Sequence, residues 1–251
     1  MRGRLTKRKK IAILIGRCAM GEITLGEYEK LEDMNMDGLK IVQDERLYRF
    51  TSDSVLLSKF ASARNGDVVA DFCAGSGIVG LHFYALHRRE RKGIKILLFE
   101  MQPTLFELSK KSIVYNGFEE CIEAKNCKIQ EIPSEYREKF SLILCNPPYE
   151  TGGFDNESYE KAVCRKEITV TLDEIACAAA RNLKYGGRFA LVNRADRVAE
   201  VCYTLKKYGL EVKKLQFVSG KAGAKPYLLM VEAVKGGKPC CELLPTVVNE
   251  K

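Results

Sequence analysis

The chain contains a glycine pattern that could bind a ligand. Its spacing is G-x-G-x-x-G, with glycines at Gly75, Gly77 and Gly80. They follow an apolar segment that predicts a strand, Val68–Phe72, and they open a segment that predicts a helix, Ile78–Arg89. Glycines in such a turn let the backbone approach a ligand closely. The pattern indicates a nucleotide-like ligand, although a Gly-rich turn without any ligand can have the same sequence.

Two carboxylates near this turn bear on which ligand it would take. Asp71 lies four residues before Gly75, and Glu100 ends the next predicted strand, Lys95–Glu100. A carboxylate at position 71 would repel the pyrophosphate of a nicotinamide dinucleotide, whereas it would attract the ammonium and sulfonium of S-adenosylmethionine (SAM). Glu100 can accept both ribose hydroxyls of either cofactor. The pattern D-x-x-x-G-x-G with a strand-terminal Glu resembles the class I SAM-dependent methyltransferases.

This resemblance implies a set of cofactor contacts around the turn and at the strand ends. We expect these contacts at Asp71, Ala74, Gly75, Gly77, Glu100 and Met101.

The tetrapeptide Asn146-Pro147-Pro148-Tyr149 directly follows another predicted strand, Phe140–Cys145. Two prolines cannot continue a strand, so they set a rigid turn at the edge where open α/β sheets bind ligands. The motif resembles that of amino-methyltransferases, which act on planar nitrogens of adenine, cytosine or glutamine. The resemblance implies that Asn146 and the Pro147 carbonyl accept the N–H groups of the target amine beside the cofactor. It also implies that Tyr149 stacks on a flipped base, with no metal required.

Further segments resemble the bacterial valine-tRNA adenine-37 N6-methyltransferases. They are Leu39–Gln43, Tyr48–Leu57 and the Cys164-Arg165-Lys166-Glu167 element after the tetrapeptide. The resemblance covers residues 37 to about 248, and it implies methyl transfer from SAM to N6 of adenine in RNA, specifically adenine-37 of a tRNA. It also implies that Thr51 and Asp53 approach the methionine end of SAM and that Arg165 contacts the substrate.

One position departs from that family. After the third strand the family usually has an Asp-Ile or Asp-Leu pair that contacts the cofactor adenine, but this chain has Lys128-Ile129, preceded by Asn126-Cys127. A lysine cannot accept a hydrogen bond from the adenine amine. We therefore expect Asn126 or a backbone group to take this role.

The arrangement of predicted elements suits these motifs. From about residue 37, short apolar strands alternate with amphipathic stretches, which predicts an α/β fold with a seven-stranded, mostly parallel sheet, helices on both faces and a C-terminal antiparallel hairpin. The resemblance implies that this is the Rossmann-like class I methyltransferase fold. Helices are predicted at Thr104–Asn116 and Thr171–Lys184, both with capping boxes, and at Ala195–Tyr208. A loop or lid is predicted at 150–168.

Basic residues outnumber acidic ones, 41 to 33, and six of them lie in the first ten residues. We divide the chain into a basic extension, residues 1–35, and a methyltransferase domain, residues 36–251. One hypothesis is a natural start at Met34 or Met36 with a disordered segment upstream, and the other is a basic arm that touches nucleic acid. Lys221 and Lys225, in the expected hairpin turn, could bind RNA phosphates or belong to a solvated turn.

The ten cysteines contain no C-x-x-C pair, and only two histidines are present, so a zinc site is not expected. We expect a reduced, cytoplasmic protein that does not span a membrane, and the sequence does not require an oligomer. Two rival functions remain open: a protein glutamine N5-methyltransferase, whose usual helical N-terminal domain has no counterpart here, and a non-catalytic SAM- or RNA-binding protein. A DNA methyltransferase and a nicotinamide-dependent oxidoreductase are less favoured.

Overall fold

The computed structural model describes residues 9–11, 21–47, 52–148 and 170–250 of the 251-residue chain. The strands are β1 (Lys9–Ile11), β2 (Ile23–Leu25), β3 (Glu29–Asp33), β4 (Lys40–Asp44), β5 (Val68–Phe72), β6 (Lys95–Glu100), β7 (Ile122–Asn126), β8 (Phe140–Cys145), β9 (Leu183–Arg194), β10 (Leu210–Ser219), β11 (Leu228–Lys235) and β12 (Glu242–Val248). The helices are α1 (Ser52–Phe60), α2 (Ile78–His87), α3 (Pro103–Tyr115), α4 (Leu172–Asn182) and α5 (Val198–Lys207).

Eight strands of the described part form one sheet in the order β12-β10-β11-β9-β8-β5-β6-β7. Strands β7, β6, β5, β8 and β9 run parallel to one another. Strand β11 is antiparallel to both β9 and β10, so β10 and β11 form the C-terminal hairpin. The predicted α/β fold, with a mostly parallel sheet and this hairpin, is confirmed, and β12 extends the sheet by one strand beyond β10.

Alternate residues of the central strands pack on opposite faces of the sheet. On β8, Leu142 and Leu144 join the core formed with α1 and α2, whereas Ile143 and Cys145 join the core formed with α4 and α5. Strands that are covered on both faces are continuous apolar runs in the sequence. For this reason the sequence predicted β5, β6 and β8 with the bounds that the structure has.

The two predicted capping boxes have different outcomes. At the start of α4, the Thr171 hydroxyl accepts a hydrogen bond from the backbone N–H of Glu174, and the Glu174 carboxylate accepts one from the backbone N–H of Thr171, so this box is confirmed. The box at Thr104 is wrong. Pro103 occupies the first turn of α3 and Gln102 is its N-cap, so Thr104 already lies inside the helix and cannot cap it.

The C-terminal elements are longer or more divided than the sequence predicts. The predicted helix at Ala195–Tyr208 begins as a 3-10 turn, Ala195–Arg197, before α5. Strand β12 was not predicted. It contains Pro245, near which the pairing with β10 shifts register, and a strand with proline is tolerated at the edge of a sheet.

The segment at residues 21–35 is folded where the sequence favoured a disordered extension. Strand β3 pairs antiparallel with β4, and the buried side chains of Ile23 and Leu25 pack against α3. Lys111 of α3 also holds the carboxylate of Glu29 at 2.6 Å. The sequence did not reveal this because short strands with only alternate buried residues, set among charges, show little apolar pattern. For residues 1–8 and 12–20, outside the described range, the assignment to an extension stays a prediction, as does the predicted loop at 150–168.

Candidate active site

The parallel strands β5, β6 and β8 end at the same edge of the sheet, and two adjoining hollows open there. The first hollow, about 400 Å³ of empty space, is walled by Glu100 and by the apolar side chains of Phe99, Ile129 and Val170, among others. The second, about 510 Å³, is lined by residues of the turn between β5 and α2 (73–77, the glycine turn) and by Ser54, Leu105 and Asn146, among others. Cys73 and Pro148 border both hollows.

The glycine turn joins β5 to α2 through left-handed backbone. Gly75 has a φ of +57° and Gly77 a φ of +90°, a region that favours glycine. A Cβ added at Gly75 would meet nothing within 4 Å, so the backbone faces open space there. A Cβ at Gly80 would lie 2.4 Å from Leu98 Cδ2, so this glycine allows α2 to pack closely on the sheet. The turn thus has the shape of a cradle for a ligand.

Glu100 connects the end of β6 to this turn. Its Oε2 accepts a hydrogen bond from the backbone N–H of Gly75 at 2.7 Å, and its Oε1 accepts one from the N–H of Gln102 at 2.8 Å. Burial raises the pKa of the Glu100 carboxyl, and these backbone donors oppose the rise. Each carboxylate oxygen has a second lone pair, so the group can still accept hydrogen bonds from a ligand in the first hollow.

The Asp71 side chain does not face either hollow, although the sequence predicted that it would contact the cofactor. Its side chain is fully buried beneath the turn and is absent from the walls of both hollows. Oδ2 accepts a hydrogen bond from the backbone N–H of Gly80 at 2.9 Å, and Oδ1 has no hydrogen-bond partner among the described residues. Burial raises the pKa of Asp71 to about 8. In this structure Asp71 therefore anchors the start of α2 rather than facing the hollows.

Asn146 follows β8 and lies on the wall of the second hollow. Its side-chain Nδ2 donates a hydrogen bond to the hydroxyl of Ser54 on α1 at 2.8 Å. Pro147 is buried beside it, and Pro148 borders both hollows. The structure thus brings Asn146 and the glycine turn to the walls of one hollow, whereas Tyr149 lies outside the described residues.

Of the remaining residues that were predicted to contact the cofactor, some line a hollow and others do not. Met101 lines the first hollow, and Ala74 and Gly75 line the second, whereas Gly77 lines neither. Asn126 lines neither hollow, and its amide nitrogen donates to the backbone carbonyls of Glu100 and Met101 at 2.9 and 3.0 Å.

The wall near the end of β7 is formed instead by Cys127, Lys128 and Ile129. The amide nitrogen of Asn126 is engaged inside the protein, and the contact of the cofactor adenine with Asn126 or with a backbone group stays a prediction. Asp53 is half-buried in the first turn of α1 and lines neither hollow. Thr51 and Arg165 lie outside the described residues.

Two residues that support the site were not predicted from the sequence. Ser54 lies within the segment that carried the family resemblance, but nothing in its type marked it. Gln43 of β4 is buried, and its side-chain amide donates to the hydroxyl of Ser76 in the glycine turn. The N-terminal β3–β4 hairpin thus supports the turn from behind, through a contact that spans 33 positions of the chain.

Lys221 and Lys225 lie in the turn between β10 and β11, at the same edge of the sheet as the hollows. This follows from the pairing of Leu228 with Arg194, which ends the parallel strand β9. Both lysines are exposed. The hydrogen bond from Arg194 and, to a smaller extent, the charge of Lys225 lower the pKa of Asp196, so Lys225 lies near that carboxylate. Asn249 ties this region to α1, because its amide donates to the hydroxyls of Ser52 and Tyr227 at 3.1 and 2.9 Å.

Comparison with known proteins now identifies the family. The model of the methyltransferase small domain matches residues 51–216, which include α1, the glycine turn and Asn146. The chain belongs to this family. Its methyltransferase domain therefore contains both hollows and the motifs that border them, and the predicted class I methyltransferase fold is the fold of that domain.

Two relatives of this methyltransferase are named tRNA1(Val) (adenine(37)-N6)-methyltransferase. The protein from Phocaeicola vulgatus is 23% identical over 186 residues, which are 74% of this chain and 76% of that one. The protein from Bacteroides thetaiotaomicron is 23% identical over 210 residues, 83% of this chain and 86% of that one. The resemblance predicted from the sequence is confirmed by these matches.

Among solved structures, a predicted O-methyltransferase from Agrobacterium tumefaciens has the same fold. It superimposes with a TM-score of 0.60 at 18% identity, covering 78% of this chain and 86% of that one. Within the described part of the methyltransferase, no helix is long and apolar enough to cross a membrane. Among the same residues, no group of three or more His, Cys, Asp and Glu side chains could hold a metal ion.

Proposed function

We propose that this methyltransferase transfers a methyl group from SAM to the exocyclic N6 of adenine in tRNA, at adenine-37. The observation that carries the proposal is the position of Asn146 on the wall of the second hollow, beside the glycine turn. The names of the relatives support tRNA as the substrate and adenine-37 as the target. A cytoplasmic location, where tRNA is available, is part of the proposal.

The residues present fit SAM. Glu100 offers carboxylate oxygens for ribose hydroxyls at the first hollow, whose apolar walls at Phe99, Ile129 and Val170 suit an adenine ring. The glycine turn leaves open space above Gly75 for the remainder of the cofactor. When bound, SAM supplies an electrophilic methyl group.

Asn146 and Pro147 would act on the target nitrogen. The lone pair of an adenine amine is delocalised, which makes it a poor nucleophile, and positive charge grows on the nitrogen as the methyl transfers. The Asn146 side-chain oxygen and the Pro147 carbonyl would accept its two N–H groups, orient the lone pair and stabilise the developing charge. Acceptors that are already in place need no reorganisation during the reaction.

A base within a folded RNA must leave its stack to reach such a hollow. Tyr149, next in the chain after Pro148, is proposed to stack on the flipped base. Lys221 and Lys225 lie at the same edge of the sheet and are proposed to bind phosphates, and Arg165 is proposed as a further RNA contact. Phosphate contacts position the RNA, whereas the hollow selects the base.

The proposal is tested by incubating the protein with labelled SAM and separate pools of tRNA, rRNA, DNA and protein. Nucleoside mass spectrometry is expected to find N6-methyladenosine in the tRNA pool. A valine tRNA transcript should accept the methyl group, and the same transcript with guanine at position 37 should not. The Asn146→Ala variant serves as the inactive control. Label found only in glutamine of the protein pool would contradict the RNA substrate.

A further inference from the structure

The hydroxyl of Ser54 has a single hydrogen-bond partner in the described part of the chain. Ser54 is 3% exposed, in the first turn of α1, and its Oγ accepts the hydrogen bond from Asn146 Nδ2 at 2.8 Å. The Asn146 Oδ1 atom has no donor among the described residues. The bond to Ser54 thus engages the donor end of the amide and leaves its acceptor end available.

We propose that Ser54 is a positioning residue for methyl transfer, which fixes the rotation of the Asn146 amide so that Oδ1 meets the target amine. The inference rests on the proposed function. The two ends of a side-chain amide have nearly the same shape and opposite hydrogen-bonding character. If the amide turned over, its NH₂ would face the N–H groups of the amine, and neither could accept.

Ser54 is well placed to impose this orientation because α1 is held independently of the Asn146 turn. The Ser52 hydroxyl accepts a hydrogen bond from Asn249 at the end of β12, at 3.1 Å. The hydroxyl of Ser58, one turn after Ser54, forms a hydrogen bond with the buried imidazole of His82 on α2 at 2.7 Å. The start of α1, next to Ser54, is therefore tied to the end of β12 through Ser52, whereas the contact of Ser58 with α2 lies in the second half of the helix.

The first test is the rate of a single turnover with SAM and tRNA both saturating. The Ser54→Ala variant should lower this rate roughly three- to tenfold, the value of one neutral hydrogen bond. The affinities for SAM and for tRNA should stay within a factor of two. Ser54→Thr, which keeps the hydroxyl, should restore most of the rate.

Ser58→Ala is the matched control, because it removes an equally buried hydroxyl from the same helix. It should lower the midpoint of urea unfolding while leaving the single-turnover rate unchanged. An equal loss of rate in Ser54→Ala and Ser58→Ala would show that the rate depends only on the stability of α1. That result would overturn the proposal.

The decisive test combines Ser54→Ala with Asn146→Ala. If Ser54 acts through Asn146, removing it from the Asn146→Ala protein should not slow the residual reaction further. Additive losses would show that Ser54 acts by another route and would overturn the inference while leaving the proposed function intact. A near-normal rate for Asn146→Ala alone would instead reject the proposed function itself.

Discussion

The backbone N–H of Gly75 donates a hydrogen bond to Glu100 Oε2 at 2.7 Å, across 25 positions of the chain. Through this bond the glycine turn after β5 and the carboxylate at the end of β6 form one unit. The carboxylate holds the loop in the left-handed backbone that opens the second hollow, and it lines the first hollow at the same time. Changes at Glu100 should therefore affect both hollows.

The Glu100→Gln variant should bind SAM at least about tenfold more weakly. Its amide has one acceptor oxygen, so one of the two N–H donors, from Gly75 or Gln102, would face an NH₂ group without a partner. Isothermal titration calorimetry measures the affinity directly. Glu107→Gln, on the exposed surface of α3, is the control and should bind normally. Equal affinities for both variants would contradict the assignment of Glu100 to the ribose.

The free energy of unfolding should fall as the pH rises from about 4 to about 8, because Asp71 ionises at a lower pH in the unfolded protein than in the folded one. Burial raises its pKa to about 8 in the folded protein, against an ordinary value of 3.8, so within this window the folded state binds more protons than the unfolded state. The contribution is fully present below about pH 4 and is lost as the pH rises through 8. The raised pKa of Glu100 acts in the same direction.

The Asp71→Asn variant, which cannot ionise, should remove most of this dependence. Urea unfolding of both proteins between pH 5 and pH 8.5 measures the effect, and the difference in unfolding free energy should grow by a few kcal/mol in favour of the variant over this range. Parallel curves for the two proteins would show that Asp71 does not change its protonation there.

The Asn146→Ala variant should lose methyl transfer by a factor of about 10²–10³, which corresponds to roughly 3–4 kcal/mol of transition-state stabilisation. Alanine offers no acceptor to the nitrogen on which charge develops. SAM affinity should change little, because the ribose and adenine contacts lie at the first hollow. Single-turnover rates at saturating SAM, with calorimetry in parallel, separate the two effects.

Replacing Lys221 and Lys225 together by alanine should weaken tRNA binding and leave SAM affinity unchanged. Each phosphate contact that is lost should reduce the slope of log affinity against log salt by about one, so the pair should reduce it by about two. The double variant Lys139→Ala and Lys184→Ala is the control, because both exposed lysines lie at the starts of parallel strands, on the opposite edge. An unchanged slope in the first variant would place the RNA elsewhere.

Local sequence determined much of this protein. Continuous apolar runs marked β5, β6 and β8. The sequence predicted that the glycine turn, Glu100 and Asn146 lie at or just after the ends of these strands. The structure places them at one edge of the sheet because parallel strands end together. The cap of α4 was equally local, since Thr171 and Glu174 meet within one turn.

Contacts between distant parts of the chain were decided only by the tertiary structure. Position 71 was predicted correctly at a strand end, but whether its carboxylate faces a ligand or the start of α2 depends on how α2 packs over Gly80. The folded segment at residues 21–35 depends in the same way on α3, against which Ile23 and Leu25 are buried.

The same limit applies to the amide of Asn146. Its position after β8 follows from the sequence, but the hydroxyl that orients it comes from Ser54, 92 positions earlier. Sequence patterns report the period and the ends of single elements, because backbone hydrogen bonding and burial act over a few residues. Which side chains meet across elements is set by the packing of helices on the sheet, and that packing decided how this site is oriented.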